Sequence, residues 1–100
     1  MIFYHRTSAE AAEQILAHGF RDATGTFMTD QEFTGVWISH VPLDCNEGAW
    51  GDTLLELSTD LTFDDIADYE WIEEEKVFRE WLVPASVLNS RCKLKIVLDT

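Results

Sequence analysis

The sequence predicts one small α+β domain built mostly of antiparallel strands, on three observations. One helical pattern near the N-terminus is followed by a series of strand patterns, without the regular alternation that builds a doubly wound parallel sheet. At 100 residues the chain spans one domain's worth, and residues 1–100 carry no linker, repeat or low-complexity tract. A hydrophobic content of 46% with 12% aromatics is far from the composition of disordered chains.

Each element has a local reason. Residues 2 to 7 form a β-rich run, and Thr7-Ser8-Ala9-Glu10 matches a capping box with Thr7 as the N-cap, so a helix is expected over about residues 8 to 18. Ala9, Ala12, Ile15 and Leu16 form its apolar stripe, and Gly19 offers the left-handed position that ends it. Residues 21 to 34, rich in Gly, Thr and Asp, read as an irregular connection, as do residues 43 to 52; both are expected to be mobile and to flank a pocket. Gly35–Ser39 reads as a buried strand, and Thr53–Thr59 as a strand with one wet face. Thr62–Ile66 looks like a short capped helix, Val77–Val83 a strand, Pro84–Leu88 a helical turn, and Cys92–Leu98 a final strand with Lys93 and Lys95 outward.

Charge narrows the function classes. Nineteen acids against seven bases give a net charge of -12, which repels phosphate backbones and anionic membrane surfaces. Residues 22 to 75 carry no Lys or Arg, so the middle of the chain is an acidic surface. Met1–Arg6 lacks the pattern of a signal peptide, no stretch has the length of a membrane span, and a cytoplasmic location is expected. Cys45 and Cys92 stand alone, and His5, His18 and His40 lack metal-ligand spacing, so no metal site is expected. The two common phosphate-cradling glycine loops are absent.

Three groups remain as candidates for chemistry. Glu80 shares a strand face with Phe78 and Leu82, where a carboxylate must pair with a base, occupy a polar cleft or shift its pKa. His5 lies on the first strand just before a helix N-terminus, as either a hydrogen-bonded core residue or a ligand-binding group. Tyr4 and Trp37 are aromatics on short strands; Trp37 is either part of a second core row or a stacking plate, whereas Trp71 and Trp81 read as core. The run Glu73-Glu74-Glu75 reads as a solvated face.

Taken in order, Tyr4-His5-Arg6-Thr7 before a helix ending in His18-Gly19-Phe20, then Gly35-Val36-Trp37-Ile38-Ser39, then Glu80-Trp81-Leu82-Val83-Pro84-Ala85 resemble the ADP-ribosyltransferase-like superfamily. That group includes poly-ADP-ribose polymerases, diphtheria-type toxins and RNA 2'-phosphotransferases. The resemblance implies a split fold with an NAD-binding cleft between two small antiparallel sheets. It assigns His5 to the adenosine ribose, Thr7 to the hydroxyl beside it, Tyr4 and Trp37 to cofactor-binding aromatics, and Glu80 to the catalytic carboxylate. Arg6 stands where a small residue is usual, and Trp37 where Tyr is typical.

Two functions follow as expectations. One is transfer of ADP-ribose from NAD, used as substrate, to an acceptor, with release of nicotinamide; the other is a noncatalytic acidic module whose residues 44 to 75 bind a basic partner. The charge argues against RNA 2'-phosphotransfer. If the enzymatic reading holds, the strands bearing His5 and Glu80 are expected to be neighbours, with both side chains in one pocket bordered by Trp37.

Overall fold

The computed structural model describes residues 1–25, 33–43, 51–72 and 77–99. Its strands are β1 (Ile2–Thr7), β2 (Ala23–Gly25), β3 (Phe33–Ser39), β4 (Thr53–Thr59), β5 (Glu70–Trp71), β6 (Glu80–Val83) and β7 (Cys92–Asp99). Helix α1 (Ala9–His18) follows β1, and α2 (Ala85–Arg91) joins β6 to β7. Six strands form an antiparallel sheet in the order β5-β6-β3-β1-β4-β7, and β2 pairs with the start of β3. The chain is therefore α+β. Among the described residues no helix is long and apolar enough to cross a membrane.

Period-2 alternation sends Phe3, Val36, Ile38, Leu55, Leu57, Trp81 and Val83 to one face of the sheet, where they form a single core. Both helices cover that face, through Ala12 of α1 and Ala85 and Leu88 of α2. Trp81 is fully buried, with Phe63 stacked on it at 5.3 Å and Phe3 edge-on at 5.3 Å. Contacts of this kind contribute about 0.5–1.5 kcal/mol each beyond area burial. Arg79 closes the cluster: its guanidinium lies 4.4 Å from the Phe63 ring centroid and is held by Glu70 through bonds of 2.9 and 2.7 Å.

The helix ends show how short-range chemistry places these elements. Ser8, one residue later than expected, is the N-cap of α1, its Oγ accepting from Ala11 N at 3.1 Å. Gly19 ends α1 at φ 86°, as its position implies. The stripe of α1 is narrower than expected, with Ala12 buried and Ile15 half-buried but Ala9 and Leu16 exposed, because the helix meets the sheet along one edge. Asp22 reaches across the fold to accept from Ala85 N at 2.7 Å, so the segment after α1 caps α2.

Several expectations are corrected. The connection at 21 to 34 contains β2, which pairs Ala23 with Gly35 and Gly25 with Phe33; residues 26–32 and 44–50, where the two pocket-flanking loops were expected, lie outside the described residues. The strand expected from Val77 begins only at Glu80, although the Arg79 carbonyl just before it accepts from His40 N at 3.2 Å, and the turn after Pro84 is a seven-residue helix. Thr62 and Asp65 do cap each other's backbone N–H groups, but they hold a turn that passes into a 3-10 segment, Ala67–Tyr69, and not a helix. In β4, Leu54 is buried along with Leu55 and Leu57, so the strand is wet on one face only from Glu56 onward. Ile96 opposes the buried Leu55, on the face expected for it, yet is itself exposed, and a register shift between Leu54 and Leu55 then passes over Val97.

The sheet is unequally joined. β1 pairs with β4 along its whole length, from Ile2 opposite Ser58 to Thr7 opposite Thr53, whereas its register on β3 is the single pair Tyr4–Ser39. The sheet is thus one continuous path pinched at β1–β3, in place of the two separate sheets expected.

The end of β1 is fixed by Gly51 at φ 121°, where an added Cβ would lie 2.2 Å from the Thr7 carbonyl oxygen. Gly51→Ala is therefore expected to cost at least about 2 kcal/mol through backbone strain and forced separation of β1 from the start of β4. Urea unfolding checks this; an unchanged midpoint would contradict the close approach.

Candidate functional site

The pinch between β1 and β3 organises the candidate residues. Beyond Tyr4–Ser39 the ladder stops, and the His5 imidazole turns across the gap, its Nδ1 donating to the Trp37 carbonyl at 2.6 Å. A carbonyl can only accept, so the proton is on Nδ1 and Nε2 presents a lone pair. Phe20, the residue after the Gly19 cap, stands edge-on to His5 with ring centroids 5.2 Å apart. Burial holds the His5 pKa below its ordinary value, opposed only in part by the bond to Trp37. His5 is a neutral imidazole of fixed tautomer.

The opposite face of the sheet carries the remaining candidates. Tyr4 opposes Ser39, Ser39 opposes Glu80, and Glu80 opposes Trp71, so four side chains from four strands form one row across the sheet. The row continues on the other side through Glu56 and Lys95, which are paired at 3.4 Å. Trp37 shares this face, being two residues from Ser39, and packs edge-on against Trp71 at 5.2 Å. Trp71 thus belongs to this second face and not to the core, where it was expected; Trp81 alone of the pair is a core residue.

The expected juxtaposition of His5 and Glu80 is corrected in two respects. Their strands are not neighbours, because β3 lies between β1 and β6. Their side chains lie on opposite faces of the sheet, so they do not line one pocket. Period-2 alternation places His5 and Thr7 with the core-facing residues of β1, and Glu80 with Tyr4 and Trp37 on the other face. What joins the two sets is β3 itself: the peptide of Trp37 accepts from His5, while its indole lies on the Glu80 face.

Sequence reasoning missed two contributors. Arg6 donates through Nε to the Leu43 carbonyl and through Nη1 to the Gly51 carbonyl at 3.4 Å, tying β1 to the segments on either side of residues 44–50. Phe20 was legible only as the residue after a helix cap, since its partner His5 is fifteen positions away and they meet only when α1 folds back. Ser39 is buried, and its hydroxyl donates to the Val41 carbonyl at 2.6 Å, which makes it a turn-former. Among the described residues no three His, Cys, Asp or Glu side chains converge as metal ligands. A groove of about 440 Å³ lies between α1, α2 and β7, lined by Ile15, Leu16, Leu88, Cys92 and Leu94 together with His18, Gly19 and Asn89.

The lowered His5 pKa has a stability signature. The unfolded chain takes up the proton first as pH falls through 6.5, so stability declines below that pH and levels off beneath the folded pKa. The slope from this residue is at most about 1.4 kcal/mol per pH unit. Urea midpoints between about pH 5 and pH 7.5 should fall less steeply for His5→Gln than for the wild type, and parallel curves would contradict a buried neutral imidazole.

No protein-family model, curated protein or solved structure matches this chain, so what the site does follows from its own geometry and chemistry.

Proposed function

We propose that the chain binds NAD at the gap between β1 and β3 and transfers its ADP-ribose group to an acceptor, releasing nicotinamide. The observation that carries this reading is the His5–Trp37 bond at the one-pair junction of the sheet, which fixes a neutral imidazole beside the strand that bears the Trp37 indole. The residues suit the substrate in kind. Nε2 of His5 is an acceptor matched to a ribose hydroxyl, and Thr7 adds a hydroxyl on the same strand. Arg6 is the one cation of β1 and offsets the diphosphate charge within an acidic protein. Trp37, Trp71 and Tyr4 offer π faces to a planar cationic nicotinamide ring.

Glu80 supplies the chemistry. As the bond between nicotinamide N1 and ribose C1' breaks, its electron pair leaves with nicotinamide and positive charge develops at C1' and the ring oxygen. A carboxylate on a half-buried sheet face stabilises that charge more strongly than water does. The acceptor's lone pair then forms the new bond to C1', and its proton passes to solvent.

A second reading, a noncatalytic module for a basic partner, is favoured by exposed Asp52, Asp64, Asp65 and Asp68 within the acidic stretch. Nicotinamide release and calorimetric NAD binding separate the two. On the enzymatic reading, Glu80→Gln lowers turnover on the order of 100-fold with binding little changed, because its charge acts on the transition state. His5→Ala weakens binding. Absence of NAD binding by the wild type, with salt-sensitive capture of a basic protein, would replace the first reading with the second.

A further inference from the structure

Asn89, in the last turns of α2, makes a contact that helix packing alone does not require. Its carboxamide reads the backbone of Phe20 as a strand would: Oδ1 accepts from Phe20 N at 2.7 Å, and Nδ2 donates to Phe20 O at 2.9 Å. Both amide functions are spent on one residue 69 positions away. The neighbouring glycine makes room for it. An added Cβ on Gly19 would lie 2.8 Å from Asn89 Oδ1, so the chain before Phe20 is stripped of a side chain where the carboxamide approaches. Phe20 is buried, and its ring is the aromatic edge-on to His5 at 5.2 Å.

We propose that Asn89 is a positioning residue for the candidate site, acting through Phe20 to hold the His5 imidazole in the Nδ1–H tautomer directed at Trp37. The inference rests on the reading of His5 as a ligand-binding group. Its physical content is a relay of two fixed contacts. The two-point bond fixes the Phe20 backbone, and burial of the ring keeps it beside His5. The ring wall, in turn, leaves the imidazole one orientation in which Nδ1 reaches the Trp37 carbonyl, with Nε2 free to accept from a hydroxyl. A carboxamide suits this contact because it offers a donor and an acceptor side by side on one planar group; aspartate keeps the bond from Phe20 N and loses the bond to Phe20 O.

The test reads His5 directly. In protein with ¹⁵N-labelled histidine, the wild type should show His5 as a single neutral tautomer with a protonated Nδ1. Asn89→Ala should give an averaged tautomer pattern for His5 and leave His40 unchanged, with Asn89→Asp intermediate. Phe20→Leu keeps an apolar side chain and leaves α2 intact, and it should reproduce the Asn89→Ala pattern, which decides the matter if Asn89→Ala does not fold. NAD affinity should fall about tenfold in Asn89→Ala. An unchanged His5 tautomer in both Phe20→Leu and the Asn89 variants would overturn the proposal. Altered His5 signals in a protein that binds no NAD would uphold the relay and reject the proposed function.

Discussion

The arrangement depends on one hydrogen bond, from the His5 imidazole to the peptide carbonyl of Trp37. It lies where the sheet is weakest, at the junction of β1 and β3, which share one register pair while β1 and β4 share the full strand. At such a junction a backbone carbonyl lacks the regular ladder, and the cost of leaving it unpaired is of the same order as a typical hydrogen bond, about 1–3 kcal/mol. A side chain meets that need, and in doing so it acquires a fixed tautomer and orientation. One contact therefore reinforces the β1–β3 junction beside the Tyr4–Ser39 pair and orients a polar group.

The two faces of the sheet divide the labour. The core face is apolar and closed by both helices, with the Phe3–Trp81–Phe63 cluster at its centre. The other face carries the row Tyr4, Ser39, Glu80 and Trp71, with Trp37 beside it. β3 is the element common to both, since its backbone meets His5 and its side chains meet the Glu80 row.

Much of this was legible in the sequence. Alternating Leu55 and Leu57, the capped helix ending at Gly19, and the order of one helix before many strands gave the α+β class and the core. The candidates His5, Tyr4, Trp37 and Glu80 were recognisable as polar or aromatic residues on strands. Their arrangement was not, because it depends on strand order: nothing local tells that β3 lies between β1 and β6, and that insertion separates His5 from Glu80. β2 escaped notice because three residues of Ala, Thr and Gly carry no periodicity, and Trp71 was misplaced because its two-residue strand is too short to show a phase. Asn89 left no signal at all, since its partner is brought to it only by the packing of α2 beside the end of α1.

The central claim is that a ligand enters at the gap between β1 and β3 and meets His5 and Trp37 together. Titration of NAD into ¹⁵N-labelled protein, followed by two-dimensional NMR, tests it most directly. The account predicts saturable shifts at the Trp37 indole N–H, at His5 Nε2 and at the backbone amides of Arg6 and Thr7, with the His18 ring unmoved. Shifts confined to the groove around Leu16, Leu88 and Leu94, or none at saturating NAD, would contradict it.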